Sequence, residues 1–216
     1  MKRMLQRFAV AGVLLSGVAA AMAEPIFGYT GTGFTQVGQP ATYGFVFTPA
    51  VDIVVDSLGF IDAGADGLAV AHRVGIWASD GSLLTSTSVT TANSSLEGPT
   101  VNGAQFRYTD IADLELRAGA SYTLGAAIEG GTDAWFSGIR QVSTSALATI
   151  SSNGFYVLSP FARPLLTISN TYAAGAFTAR ALRAVVPEPS SLALVGAVLV
   201  CAGAVTRRRK PATTTM

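Results

Sequence analysis

The sequence predicts an all-β protein: one antiparallel, jelly-roll-like β-sandwich set between an N-terminal leader and a C-terminal hydrophobic tail. Three observations carry this expectation. Short runs rich in β-branched and aromatic residues recur at intervals of about ten to fifteen residues between Glu24 and Val186. The stretches between them are dense in Gly, Thr and Ser, and no long segment shows a 3.6-residue apolar period. Finally, the chain of 216 residues is 50% hydrophobic and only 12% charged, too apolar for a disordered polar protein. The body between the two ends is long enough for one domain that buries about two thirds of its unfolded surface.

The leader comes first. Lys2, Arg3 and Arg7 precede an apolar run from Phe8 to Val18, and small residues follow as far as Ala21-Met22-Ala23. This is the pattern of a secretory signal peptide over residues 1–23, cut by signal peptidase after Ala23. Its apolar run is about half of the ~20 residues a membrane span needs. A sandwich domain then fills residues 24–186. Its candidate strands are Thr42 to Phe47, Val51 to Ile61, Arg73 to Ala78, Leu83 to Thr90, Gln105 to Thr109, Ser121 to Ile128, Ala134 to Gly138, Leu165 to Ser169 and Phe177 to Ala184. In Val51 to Ile61 the apolar residues change parity, so either both faces are covered or a bulge at Ser57 switches the register. Asp80-Gly81 supplies the two positive φ values of a type I′ turn, which makes Arg73 to Leu84 a hairpin. Tyr122, Leu124, Ala126 and Ile128 alternate with polar or small residues, which places one face on a core and the other on water. Between Arg140 and Arg163 the pattern is diluted and broken by Pro160, so a long loop and weak edge strands are both open there.

Charge is segregated. Seven of the fourteen Lys and Arg lie in the first seven and last ten residues, and the body from Glu24 to Val186 holds 7 Arg, no Lys and 12 Asp and Glu, a net charge of −5. That excludes nucleic acid as a partner. No G-x-S-x-G, H-E-x-x-H or P-loop occurs, and Gly28, Gly31 and Gly33 are followed by Gln36 where a dinucleotide fingerprint needs another glycine. His72, the sole histidine, is a triad base or a hydrogen-bonded structural residue at the start of an apolar strand. One histidine and no cysteine in the body make a zinc site improbable, and no cofactor is expected. Asp62 and Asp66 bracket a glycine-rich loop ending at Gly67; their oxygens are either calcium ligands or turn residues, and Asp66-Gly67 suffices as a turn. Glu97, Glu115 and Glu129 are carboxylates a glycan hydrolase would need in pairs, without a spacing that pairs them. Trp135 and Phe136 follow a polar loop and are candidates for stacking on a sugar ring, whereas Trp77 sits in a Val-Ile strand and reads as core.

At the far end, Leu192 to Val205 is a second apolar run, bounded by Pro187-Glu188-Pro189 and by Arg207-Arg208-Arg209-Lys210. As a helix over about residues 190–206 it is a marginal membrane anchor, with the basic quartet on the cytoplasmic side and the body outside. Cys201, the only cysteine, lies inside this run, so no disulfide staples the body. The tripartite tail over residues 187–210, with 211–216 trailing, resembles the PEP-CTERM sorting signal of Gram-negative bacteria. The resemblance implies recognition of Pro187, Glu188 and Pro189 by an exosortase, transient anchoring in the membrane, and delivery to the cell surface or extracellular matrix of a biofilm-forming or exopolysaccharide-making cell. A looser resemblance spans Phe47 to Glu129, where Val55-Asp56-Ser57-Leu58-Gly59-Phe60, His72-Arg73-Val74-Gly75-Ile76-Trp77 and Leu116-Arg117-Ala118-Gly119-Ala120-Ser121-Tyr122 are similar to a secreted β-sandwich module of unknown function. It implies a fold and no activity. The expected function is that of a non-enzymatic structural or interaction module linked to exopolysaccharide, with a carbohydrate-binding module and a secreted glycan hydrolase as alternatives.

Overall fold

The computed structural model describes residues 22–30, 34–37, 40–101, 103–129, 133–137, 140–168 and 172–182. No helix occurs among them. The strands are β1 (Glu24–Pro25), β2 (Phe27–Thr30), β3 (Phe34–Val37), β4 (Ala41–Pro49), β5 (Ile53–Asp62) and β6 (His72–Ala78). They continue with β7 (Leu83–Val89), β8 (Ser95–Val101), β9 (Ala104–Leu116), β10 (Tyr122–Ile128) and β11 (Ala134–Ser137). The last five are β12 (Arg140–Ser143), β13 (Ala148–Val157), β14 (Leu166–Ile168), β15 (Tyr172–Ala173) and β16 (Gly175–Ala181). One sheet runs β1-β16-β5-β9-β8 and the other β14-β13-β4-β10-β6-β7, joined by a three-stranded ribbon β15-β11-β3 and a pair β12-β2. The pairings are antiparallel, as expected for an all-β sandwich.

The two large sheets share one core. Phe45 and Phe47 of β4, Ile76 of β6 and Leu124 of β10 meet Leu58 and Phe60 of β5 and Phe177 of β16, all 4% exposed or less. Phe27 enters between them with its ring edge-on to Phe45 at 4.8 Å and to Phe177 at 5.1 Å. Each such aromatic pair adds about 0.5–1.5 kcal/mol beyond its buried area, which matters in a domain without disulfides.

The parity change in β5 has both of the expected causes. The strand is central and buried on both faces, and the register against β9 slips between Val55 and Ser57, opposite a second slip in β16 between Thr178 and Ala179. Ile53 and Val55 reach the core before the bulge, Leu58 and Phe60 after it. Asp56, the extra residue, is bound by Arg180 Nη1 at 3.0 Å and by Thr178 Oγ1 at 2.5 Å.

The hairpin from β6 to β7 forms, with a different turn. Asp80 does not take a positive φ; Gly81 does, at 94°, its N–H bonded to Ala78 O at 3.1 Å while Ala78 N bonds back to Ser82 O at 2.9 Å. This is a type I turn closed by a glycine bulge, and Asp80 stabilises it by accepting from the Ser82 N–H and hydroxyl.

The expectation that β10 turns one face to water is corrected: all seven of its residues are buried. Residues 159–164 cross the outer face of this sheet. Thr42 Oγ1 donates to Ser159 O, Ala162 N donates to Thr42 Oγ1, and Phe161 packs on Trp77 at 5.1 Å with the Arg73 guanidinium 3.9 Å above its ring. Gly125 of β10 and Gly75 of β6 make room for this strap, and Gly44 of β4 lies in register with them. A Cβ on Gly125 would come within 2.9 Å of Trp77 and 3.0 Å of Pro164, and one on Gly75 within 2.9 Å of Phe161. The Arg140 to Arg163 region is thus neither a loop nor an edge alone, because β13 pairs with β4 inside the six-stranded sheet.

Candidate functional site

The loop from Asp62 to Val70 leaves the end of β5, and its acidic residues are not free to bind an ion together. Asp62 is 1% exposed; its Oδ2 accepts from Arg107 Nε at 2.6 Å and from the Gly67 N–H at 2.9 Å, and its backbone carbonyl accepts from the Ala65 N–H. The turn is therefore closed by Asp62 from five residues back, and not by Asp66-Gly67 alone. Asp66 is exposed, folded over Gly64. No group of three or more His, Cys, Asp or Glu is placed to hold a metal among the described residues. Because the Arg107 guanidinium already occupies the Asp62 carboxylate, millimolar Ca²⁺ and EDTA should give the same melting curve for the purified protein. A calcium-dependent rise of several degrees that disappears in Asp66→Ala would contradict this assignment.

Past the loop stands a polar cluster built on His72 and Asp133. Asp133, just before β11, accepts from the Ala69 N–H at 2.8 Å and the Val70 N–H at 3.0 Å, and its Oδ2 lies 2.9 Å from His72 Nε2. His72 is completely buried, its ring stacked on Phe60 at 3.8 Å with 2° between planes, and its Nδ1 is 3.1 Å from Ala127 O. Each ring nitrogen thus lies within hydrogen-bond reach of an oxygen. Burial alone would raise the Asp133 carboxyl, but the hydrogen bonds from Ala69, His72 and Val70 outweigh it and hold the group below its ordinary value. Chemically this is a clamp: it ties the 69–72 segment to the start of β11 across more than sixty residues of chain. It leaves His72 no open nitrogen with which to activate a nucleophile.

Other candidates are placed as follows. Trp135 was a stacking candidate, and the structure corrects this: it is 1% exposed, with Tyr43 stacked against it at 4.5 Å, so neither face is offered to a sugar. The cause is tertiary, because β3 pairs with β11 and Tyr43 comes from β4. Phe136 is described by its backbone only, which pairs with Thr35 and Ala173; its side chain lies outside the described residues. Trp77 is 4% exposed, as a core residue should be. Glu97, Glu115 and Glu129 are exposed, on β8, on β9 and after β10. Glu97 instead shares a polar cleft with Asp56, Asp110 and Arg180, near Ala23. Asn93 spends its side chain on the turn, accepting from Thr90 N and Oγ1 at 2.8 Å and donating to Ser88 O at 2.9 Å. The sequence offered one signal for the clamp, a lone histidine opening an apolar strand; its partner Asp133, and Arg107 beside Asp62, had none.

The last strand ends at Ala181, and residues 182–216 form a separate unit. The leader through Ala21, the triad Pro187, Glu188 and Pro189, the anchor at about 190–206, the basic quartet Arg207, Arg208, Arg209 and Lys210, and Cys201 lie outside the described residues, so the tail is judged on its sequence. Residues 185–210 match the PEP-CTERM protein-sorting motif. The match opens at Val185, four residues after β16, and covers the Pro-Glu-Pro triad, the apolar run and the basic quartet. The sorting motif implies export of the chain, a membrane-anchored C-terminal signal and processing by an exosortase. No curated protein and no solved structure matches the chain.

Proposed function

We propose that this chain is an exported structural or interaction module, delivered by an exosortase to the cell surface or extracellular matrix, where it serves exopolysaccharide or biofilm architecture without catalysing a reaction. Signal peptidase removes the leader, and the C-terminal segment holds the chain in the membrane until the exosortase acts. The observation that carries this reading is the sorting motif at 185–210, which begins almost directly after the last strand of the sandwich. The sandwich is then the cargo. An interaction role is supported by the hairpin that closes one edge of the six-stranded sheet, where Leu158, Leu165 and Leu166 are 72%, 63% and 52% exposed. Exposed apolar side chains beside an unpaired strand edge favour association with a partner.

Fractionation of the producing cell tests the proposal. Glu188→Ala should leave full-length protein in the inner membrane while the parent is processed and released, and both should melt alike, since Glu188 lies outside the sandwich. Equal release of the two would remove the sorting step. Co-sedimentation of released protein with the cell's own exopolysaccharide tests the matrix role, and recovery only in the supernatant would refute it.

A further inference from the structure

A second cleft lies between β2 and the hairpin of β8 and β9, with Pro25, Tyr29, Glu97, Pro99, Phe106 and Tyr108 on its walls. Its volume is about 140 Å³. An apolar protein cavity of about 150 Å³ is enough to take a benzene ring. Its lining is built from side chains that are apolar or already satisfied. The Tyr29 hydroxyl donates to Ala104 O at 3.2 Å, and Thr144 Oγ1 at the rim donates to Pro25 O at 2.9 Å. Gly98, at a φ of 80°, lets β8 bend so that it packs against Pro25, which closes one side.

Tyr108 breaks the pattern. It is 3% exposed, and its ring lies across Gly59 of the neighbouring strand, where a Cβ would come within 2.6 Å of it. Its hydroxyl is buried and has no hydrogen-bond partner among the described residues. Buried hydroxyls are almost always paired, so an orphan one on a cleft wall marks a donor awaiting an acceptor. Burial first, and the Glu97 carboxylate second, push the ionisation of this phenol upward, so it keeps its proton. Tyr108 and Glu97 both line the cleft.

We propose that this cleft binds a small, neutral, mainly apolar ring bearing one hydrogen-bond acceptor, with the ring between Tyr29, Phe106 and Pro99 and the acceptor on the Tyr108 hydroxyl. A pyranose does not fit this chemistry, because its several hydroxyls would lose water and find only one unpaired donor and one carboxylate. An anion does not fit either, since Glu97 stands at the site.

Three probes separate these cases on the purified full-length protein by ligand-observed NMR titration: acetophenone (ring and acceptor), toluene (ring alone) and benzoate (ring and negative charge). Acetophenone should bind the parent, and Tyr108→Phe should weaken it about tenfold while leaving toluene unchanged. Benzoate should bind only in Glu97→Gln. Tyr108→Phe removes an unpaired hydroxyl and keeps the ring, so it should melt no lower than the parent. The proposal is overturned if acetophenone shows no binding at ~10 mM, or if Tyr108→Phe binds it as well as the parent does.

Discussion

Replacing His72 with alanine should destabilise the sandwich by about 3–5 kcal/mol, the range for truncating a fully buried aromatic ring to alanine. For a domain of this size that corresponds to a fall in Tm of roughly 6–20 °C. Three losses act together. The ring that stacks on Phe60 at 3.8 Å disappears and leaves a void, Ala127 O loses the ring nitrogen beside it, and Asp133, with a side chain 8% exposed, loses its side-chain partner. Asp133→Asn should cost less, because the amide oxygen still accepts from one of the two backbone N–H groups, Ala69 or Val70, that the two carboxylate oxygens hold. It should also change the pH profile. The Asp133 carboxyl is held below its ordinary value of 3.8 in the folded protein, so its contribution is complete above that value and is lost as pH falls through the folded one. The parent should therefore lose more stability than Asp133→Asn on acidification below about pH 4. Parallel acid profiles for the two, measured by thermal melts, would remove Asp133 from the account of acid stability. A His72→Ala protein that melts within a degree or two of the parent would show that the clamp is ornamental.

Gly44→Ala should abolish cooperative unfolding. A Cβ there would lie 1.9 Å from Leu124 O, a backbone atom of the strand next to it, and no rotamer change relieves a clash with backbone. The ladder between β4 and β10 would have to open at the centre of the six-stranded sheet. Gly125→Ala should be milder, about 1–3 kcal/mol, since its added methyl meets side chains of Trp77, Pro164 and Thr42 that give by a few tenths of an ångström. Circular dichroism melts of both variants check the order. If Gly44→Ala melts as sharply as the parent while Gly125→Ala does not, the close approach of β4 and β10 is wrong.

The parts legible from sequence were those with local causes. Short runs rich in β-branched and aromatic residues located β4, β5, β6, β7 and β10 closely, because such side chains favour a pleated, packed surface. The strands that escaped, β1, β2, β3, β8, β12, β13 and β15, are short or diluted with Gly, Ser and Thr, and pairing holds them in place more than apolar content does. Ser151, Ser152 and Asn153 mark where β13 slips against β4, and a slip of register erases the period that would have revealed the strand.

The sorting motif stands at one extreme, since the match over residues 185–210 rests on linear sequence: Pro187-Glu188-Pro189, an apolar run and a basic quartet. The fold class and the core position of Trp77 were legible for a similar reason. Burial of Trp135 was not, because the ring stacked on it, Tyr43 of β4, lies about ninety residues earlier in the chain. Nor was the choice of partner for any charged group: Asp62 meets Arg107 at a separation of 45 residues and His72 meets Asp133 at 61. Composition and period report how much apolar surface a segment has to hide. Which surface hides it, and which charge pairs with which, depends on contacts between distant segments that exist only once the sheets have closed on one another.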